Sequence, residues 1–117
     1  GKGILEKEDG TLYVGDFKDS EFSGSGMLIG GDGSKYTGQF SGGLPNGYGV
    51  EEQVNGVRYF GTWSGGLKEG AGTVDFGNGA TYVGDFKNGF AHQGKYDWGD
   101  GRVTDSYQDE TGAWLDR

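Results

Sequence analysis

The sequence predicts an all-β fold: an elongated single-layer antiparallel meander of repeated β-hairpins with about ten strands. Tyrosines fall at positions 13, 36, 59 and 82, a constant spacing of 23 residues. Each tyrosine is followed by glycine two positions on and by Phe or Trp four positions on, and an Asp-Gly or Asn-Gly pair precedes it. A fixed period of this length is typical of repeat architectures, in which each repeat is one supersecondary unit.

The period divides the chain, a single domain of residues 1–117, into four complete units and a degenerate end. The units are 1–23, 24–46, 47–69 and 70–92, and each opens with a Gly-x-Gly triplet. The fifth unit and cap, 93–117, keep an Asp-Gly pair but lose the Tyr-x-Gly-aromatic strand, and one residue is missing before Gly94. Terminal repeats are commonly atypical because they cap the stack. We therefore expect Tyr107 and Trp114 to form a cap in which Trp114 covers the last rings.

The Asp-Gly and Asn-Gly pairs predict hairpin turns at 9–10, 32–33, 55–56, 78–79 and 100–101. A two-residue hairpin turn needs positive φ at both central positions, which Gly, Asn and Asp tolerate. Segment 41–46, which contains glycines and the proline, is expected to be a short loop between one hairpin and the next. With strands about 4.8 Å apart, the predicted meander is roughly 45 Å long.

The core is expected on the face that carries the repeated tyrosines, because side chains alternate between the two faces of a strand. Glycine in a strand is less favourable than alanine by about 0.5–1 kcal/mol, so its recurrence needs a reason. We expect it to leave room for a ring from a neighbouring strand. The predicted core of the repeats is Tyr13, Gly15, Phe17, Tyr36, Gly38, Phe40, Tyr59, Gly61, Trp63, Tyr82, Gly84 and Phe86.

The composition restricts the classes of function. Only 32% of the residues are hydrophobic while 15% are aromatic, so rings must supply most of the buried surface. The net charge of −8 and the pI of about 4.4 disfavour nucleic acids and anionic lipids as ligands. There is no cysteine for disulfides or thiolate metal sites. No apolar run is long enough to span a bilayer, and the compartment is left open.

Several features have both a structural and a functional interpretation. The Gly-x-Gly triplets lack the helix and lysine of a phosphate loop, so they are interpreted as turns. His92, the only histidine, is assigned a structural hydrogen-bonding role because no catalytic partner is evident. The acidic residues of the C-terminal end fit no calcium-loop spacing and are interpreted as a solvated face, so no metal or other cofactor is expected. Aromatic residues outside the repeated core are the candidates for partner binding: Phe22, Tyr48, Phe60, Phe90, Tyr96 and Trp98.

The repeated unit resembles the MORN (membrane occupation and recognition nexus) repeat. The matching segments are Tyr13/Gly15/Phe17, Tyr36/Gly38/Phe40, Tyr59/Gly61/Trp63 and Tyr82/Gly84/Phe86. The resemblance implies an elongated, twisted groove of β-hairpins and a scaffold or recognition role. Two features depart from the family's pattern: the strand reads Asp-Phe-Lys where many members have Glu-Trp-Lys, and the family's lysine-rich loops are mostly missing.

The first functional hypothesis is a non-enzymatic scaffold or protein-interaction module that binds a segment of a partner protein or self-associates into a homo-oligomer. Direct binding to anionic membranes or to nucleic acid is not expected from the charge. The alternative is an aromatic repeat module for lipid, choline or carbohydrate, because rings stack on sugars and enclose quaternary ammonium groups. Such a module should be rich in tryptophan, whereas the chain has 3 Trp against 7 Phe and 7 Tyr. An enzyme ranks third, since no acid–base pair is evident.

Overall fold

The computed structural model describes residues 1–116, and these form one antiparallel sheet in which the strands follow sequence order from edge to edge. Its dimensions are 46 × 23 × 22 Å, so the expected all-β meander and its length are confirmed. The described residues contain eleven strands, close to the predicted number. They are β1 (Lys2–Glu6), β2 (Leu12–Lys18), β3 (Glu21–Ile29), β4 (Lys35–Ser41), β5 (Leu44–Glu52), β6 (Arg58–Ser64), β7 (Leu67–Asp75), β8 (Thr81–Lys87), β9 (Phe90–Asp97), β10 (Val103–Gln108) and β11 (Trp114–Asp116).

The Asp-Gly and Asn-Gly pairs lie in loops between strands, as predicted, but the loops are wider than two residues. In the first loop the amide of Lys7 donates to the carbonyl of Thr11 at 2.8 Å, and the amide of Gly10 donates to the carbonyl of Lys7 at 3.1 Å. The Asp9 carboxylate accepts a hydrogen bond from the Thr11 amide at 2.9 Å. Only the glycine of each pair has positive φ, so the expectation of positive φ at both positions is wrong. The Asp or Asn serves as a side-chain acceptor that mimics a backbone turn.

The two-residue hairpin turns are at 19–20, 42–43, 65–66 and 88–89, where φ is positive at both positions. At the first of them Asp19 and Ser20 have φ of 52° and 67°. The prediction of a loop over residues 41–46 is therefore wrong, because β4 continues to Ser41 and β5 already begins at Leu44. Pro45 lies inside β5, and its carbonyl accepts a hydrogen bond from the amide of Gly66 at 2.9 Å.

A row of glycines crosses the sheet at right angles to the strands. Cross-strand pairing places glycine opposite glycine through nine consecutive strands. The row continues into β10 and β11 as Ser106 and Asp116. Its members are Gly3, Gly15, Gly26, Gly38, Gly49, Gly61, Gly72, Gly84 and Gly94.

The tyrosine rings lie directly on this glycine row. A Cβ atom built on Gly26 would be 2.3 Å from the Tyr13 hydroxyl oxygen, too close for any side chain. The Tyr13 hydroxyl donates a hydrogen bond to the carbonyl of Asp16 at 2.7 Å. The tyrosines of the other three units make the same bond three residues on, at 2.8–3.1 Å. Every second Gly–Gly pair along the row thus makes room for one tyrosine ring, and burial raises the pKa of Tyr36 and Tyr59 to about 12.

The rings form a continuous column along the core face. Within a unit, the tyrosine packs edge-on against the Phe or Trp four residues on, at centroid distances of 4.9–5.5 Å. Between units, it packs against the Phe or Trp of the next unit at 4.9–5.3 Å. Edge-to-face ring pairs contribute about 0.5–1.5 kcal/mol each beyond the area they bury. The column consists of Phe17, Tyr13, Phe40, Tyr36, Trp63, Tyr59, Phe86 and Tyr82.

Trp114, on the last strand, occupies the end of the column. Its ring lies 5.0 Å from that of Tyr82 and 5.4 Å from that of Phe76. Tyr107 lies in β10 opposite Leu115. The C-terminal end therefore supplies a ring where the next unit's Phe or Trp would otherwise lie.

Candidate binding surface

The face opposite the ring column carries an exposed apolar row. Consecutive cross-strand partners place these side chains next to one another from β1 to β8. Ile4 is 72% exposed and Val83 is 56% exposed, although both lie in strands. We define the apolar row as Ile4, Val14, Met27, Thr37, Val50, Phe60, Thr73 and Val83. Six of its eight members are apolar and the other two are threonines, so the row is mainly hydrophobic. Its exposed apolar members are Ile4, Val14 and Val83.

A second row on the same face is mainly polar and secures irregularities in the strands. β3, β5, β7 and β9 each contain a bulge where the pairing register shifts. The Asp16 carboxylate accepts a hydrogen bond from the amide of Ser25 at 3.1 Å, and the Gln39 side-chain oxygen accepts one from the amide of Tyr48 at 2.9 Å. The Thr62 hydroxyl donates to the carbonyl of Glu69. In the first three units, the residue after the repeated glycine thus holds the bulge of the next strand.

A shallow groove runs between the two rows. Its best-formed part is a cavity of about 480 Å³ with Tyr48 and Phe60 near one end and Val83 near the other. The floor is backbone of the glycine row, at Gly61 and neighbouring positions. Tyr48 is 56% exposed, so its ring is available to a ligand. The groove therefore offers apolar contacts within a largely polar surface.

Charge around the groove is distributed unevenly. Asp85 lines the cavity directly. The Arg58 guanidinium lies 5.5 Å from the centroid of the Phe60 ring and is paired with Asp75 at 3.0 Å. Hydrogen bonds from the Gly77 amide and from Arg58 lower the pKa of Asp75. A cation thus already lies beside Phe60, the one aromatic ring of the apolar row, and basic groups can pack against this ring.

The six aromatic residues proposed for partner binding fall into four places. Tyr48 and Phe60 lie together at the groove. Phe22 lies on the core face, where its ring stacks on Tyr13 at 3.8 Å with an interplanar angle of 6°. Phe90 is at the lateral border of the sheet and is 37% exposed, while Tyr96 and Trp98 adjoin at the C-terminal end. The repeat pattern does not indicate that Phe22 belongs to the core, because the equivalent positions of the other units hold Pro45, Lys68 and Ala91.

His92 and several acidic residues of the C-terminal end lie at a bulge, in loops and on the surface of the sheet. His92 lies in the bulge of β9 and is exposed. Asp97, Asp100 and Asp109 accept hydrogen bonds from backbone amides two residues on, and Asp105 pairs with Lys95. Residues 1–116 contain no cluster of three or more His, Asp or Glu side chains arranged to hold a metal ion. No helix within the same residues is long and apolar enough to cross a membrane.

The repeat pattern of the MORN family matches four consecutive segments, residues 13–35, 36–58, 59–81 and 82–101. The match covers more than half of the chain and begins each repeat on the core tyrosine. The chain belongs to the MORN repeat family. These MORN repeats form an open sheet of hairpins, an architecture of repeat modules that generally take part in interactions. Comparison with curated proteins gave no match.

Proposed function

We propose that this MORN repeat chain is a non-enzymatic interaction module that binds a segment of a partner protein in the groove beside the apolar row. The observation that carries the proposal is a cross-strand row in which six of eight side chains are apolar, with Ile4, Val14 and Val83 exposed. Contiguous exposed apolar surface of this kind generally marks a contact site in a soluble protein. The scaffold role follows from the shape, because a sheet 46 Å long presents one extended face.

The chemistry of the preferred segment follows from the surface. Apolar side chains of the segment would pack on Phe60 and Val83, and the net charge of −8 favours Lys or Arg on either side of them. Within the sheet every interior strand is already paired on both sides. A ligand in the groove is therefore held by side-chain contacts and not by the addition of a strand.

A matched pair of variants tests the proposal. Val83 and Val103 lie in strands, point away from the ring column and are 56% and 55% exposed, but only Val83 lines the groove. Peptides would be selected from a random display library on the wild-type chain. Their affinity would then be measured by isothermal titration calorimetry for the wild type, Val83→Lys and Val103→Lys.

The expected result is a set of peptides with apolar residues flanked by basic ones. Val83→Lys should weaken their binding by about tenfold or more, equivalent to ~1.4 kcal/mol, whereas Val103→Lys should leave it unchanged. Failure to enrich any peptide, or equal affinity for the two variants, would contradict binding in the groove.

A further inference from the structure

A second cavity, on the core face at the C-terminal end of the sheet, has a chemistry different from that of the groove. Its volume is about 330 Å³. Three of its six lining residues are aromatic, one is a buried serine and one is an acid. We define this ring cavity by Tyr96, Trp98, Ser106, Trp114, Leu115 and Asp116.

The ring cavity lies where the fifth unit departs from the repeat. The strand that would carry the next tyrosine has Thr104 opposite Tyr96, and Ser106 opposite Gly94. In the complete units a tyrosine ring covers the paired glycines, as Tyr82 does at Gly94. Threonine is too short to cover the corresponding place in β10. The space for one ring is therefore left open, with the rings of neighbouring strands as its walls.

The walls are held in position by other rings. Tyr96 and Trp98 have centroids 4.7 Å apart at 51°, and Tyr96 and Trp114 have centroids 5.6 Å apart at 69°. Trp114 is fixed from behind by Tyr82 and Phe76. The three rings are inclined to one another and all line the cavity, and aromatic rings that border a cavity attract a cation.

A chain of hydrogen bonds joins the rings to a carboxylate. The indole N–H of Trp98 donates to the Thr104 hydroxyl at 3.3 Å, and the Thr104 and Ser106 hydroxyls are 3.1 Å apart. The Ser106 hydroxyl donates to the Asp116 carboxylate at 3.2 Å. Asp116 is exposed, and Ser106 is only 2% exposed. The bonds place a negative charge beside the aromatic walls.

We propose that the ring cavity binds a methylated ammonium group, the side-chain end of a methylated lysine in a basic protein segment. Methyl groups give the cation an apolar surface that packs on rings, whereas an unmodified ammonium is compact and strongly hydrated. The Asp116 carboxylate balances the charge. Trp98 already attracts a cation to one face of its ring, since the Arg102 guanidinium lies 4.6 Å from the centroid, and Arg102 does not line the cavity.

The surroundings favour a lysine-rich segment over a choline lipid. Asp100 and Asp105 near the cavity are paired with Arg102 and Lys95, but Asp97 also lies nearby and the chain as a whole carries a net charge of −8. A phosphocholine group would bring a phosphate anion into this field, whereas lysines next to a methylated one are attracted by it. This site lies on the face opposite the groove, so its test and that of the proposed function are independent.

Tryptophan fluorescence can report on the ring cavity in a Trp63→Phe background. Phe occupies the position of Trp63 in the other complete units, and the Trp63 indole N–H is buried without a hydrogen-bond partner among residues 1–116. The remaining tryptophans, Trp98 and Trp114, both line the cavity. The probes are a short peptide with trimethyllysine, the same peptide with lysine, and its uncharged analogue with a tert-butyl group. Vesicles of phosphatidylcholine form the lipid arm, at constant ionic strength.

The trimethyllysine peptide should change the fluorescence with saturation, and the tert-butyl analogue should bind about tenfold more weakly because it lacks the cation–π attraction. The lysine peptide should also bind more weakly. In calorimetry, Trp98→Leu should abolish binding and Asp116→Asn should weaken it severalfold. Phe90→Leu is the matched control, because Phe90 is 37% exposed, Trp98 is 39% exposed, and Phe90 lies outside the cavity. It should bind as the parent chain does.

Three outcomes would overturn the proposal. They are equal affinity for the charged and uncharged peptides, binding that survives Trp98→Leu, and tighter binding to the vesicles than to the trimethyllysine peptide. Should Trp98→Leu fail to fold, as judged by circular dichroism, the exposed Asp116→Asn variant still decides. Unchanged affinity in that variant would count against the site.

Discussion

Replacing Gly61 by alanine should destabilise the sheet strongly, although the change adds a single methyl group. A Cβ atom at Gly61 would lie 2.6 Å from the Tyr59 hydroxyl oxygen, 2.7 Å from the carbonyl oxygen of Ala71 and 2.7 Å from the Cα of Gly72. Ordinary carbon contacts are about 3.5–4.0 Å. The neighbouring backbone, which is held by hydrogen bonds between the strands, would therefore have to move by roughly 1 Å. Neither Gly72 nor Ala71 can move without disturbing their own pairing with β8.

The magnitude follows from two contributions. Overpacking a filled site costs about 1–3 kcal/mol. Displacing the Tyr59 ring also breaks its hydrogen bond to the Thr62 carbonyl, worth about 1 kcal/mol. The sum of about 2–4 kcal/mol is a large share of the roughly 5–15 kcal/mol by which domains are stable. At roughly 4 °C per kcal/mol, the melting temperature should fall by about 8–16 °C.

Thermal and urea unfolding, followed by circular dichroism, measure this loss. Gly65→Ala is the control, since a Cβ at Gly65 meets no atom within 4 Å and only the left-handed φ of 57° is unfavourable. That conformation costs alanine about 1–2 kcal/mol. If Gly61→Ala were no less stable than Gly65→Ala, the close approach of Tyr59 to the glycine row would be refuted.

Three further predictions concern pH, the C-terminal end and membranes. The free energy of unfolding should fall as the pH rises from 10 to 12, because Tyr36 and Tyr59 ionise near pH 10 when unfolded but near 12 when folded, so the folded state retains the protons; urea midpoints across this range test it, and a flat profile would contradict it. Trp114→Ala should cost about 2–4 kcal/mol, more than Trp98→Ala, since only Trp114 closes the ring column; equal melting temperatures would show that the column ends at Tyr82. The chain should not float with vesicles that contain phosphatidylserine at physiological salt, because its net charge of −8 repels anionic lipids. Salt-sensitive co-flotation would disprove this.

The faces and the core could be predicted from the sequence because the strand pattern recurs without slippage. Once Tyr82, Gly84 and Phe86 are assigned to one face, side-chain alternation assigns the corresponding residues of every other unit. The same regularity fixes the register, since a shift of one residue would put the rings in water. The antiparallel order of the strands follows from the short connections.

The turns could not be predicted because their residues fit two conformations. Asp-Gly suits a two-residue turn, but it equally suits a wider loop in which the carboxylate of Asp9 accepts the Thr11 amide. The actual two-residue turn at Asp19 and Ser20 has no glycine at all. Pairing between the long strands, not local preference, decides which connection is tight.

The ring cavity and the position of Phe22 could not be predicted from the sequence for another reason. The sequence shows that the fifth unit lacks its tyrosine and predicts that Trp114 covers the last rings, but it does not show that an open space is left between Trp114, Tyr96 and Trp98. Phe22 stacks on Tyr13 in a position that is not aromatic in any other unit. Contacts that occur once in a repeat protein leave no periodic signal, and they require the three-dimensional arrangement.

The sequential order of the strands determines how the molecule would respond to tension. Each strand pairs only with its neighbours along the chain, and the termini lie at opposite edges of the sheet. A force applied at the two ends therefore has no distant contact to break at once and peels hairpins away one after another. Each released unit would lengthen the chain by roughly 70 Å, because its 23 residues extend at about 3.4 Å each and the folded unit already spans about 10 Å along the sheet. The hairpins therefore unfold one after another, and the strands that remain folded keep their pairing while the neighbouring units open.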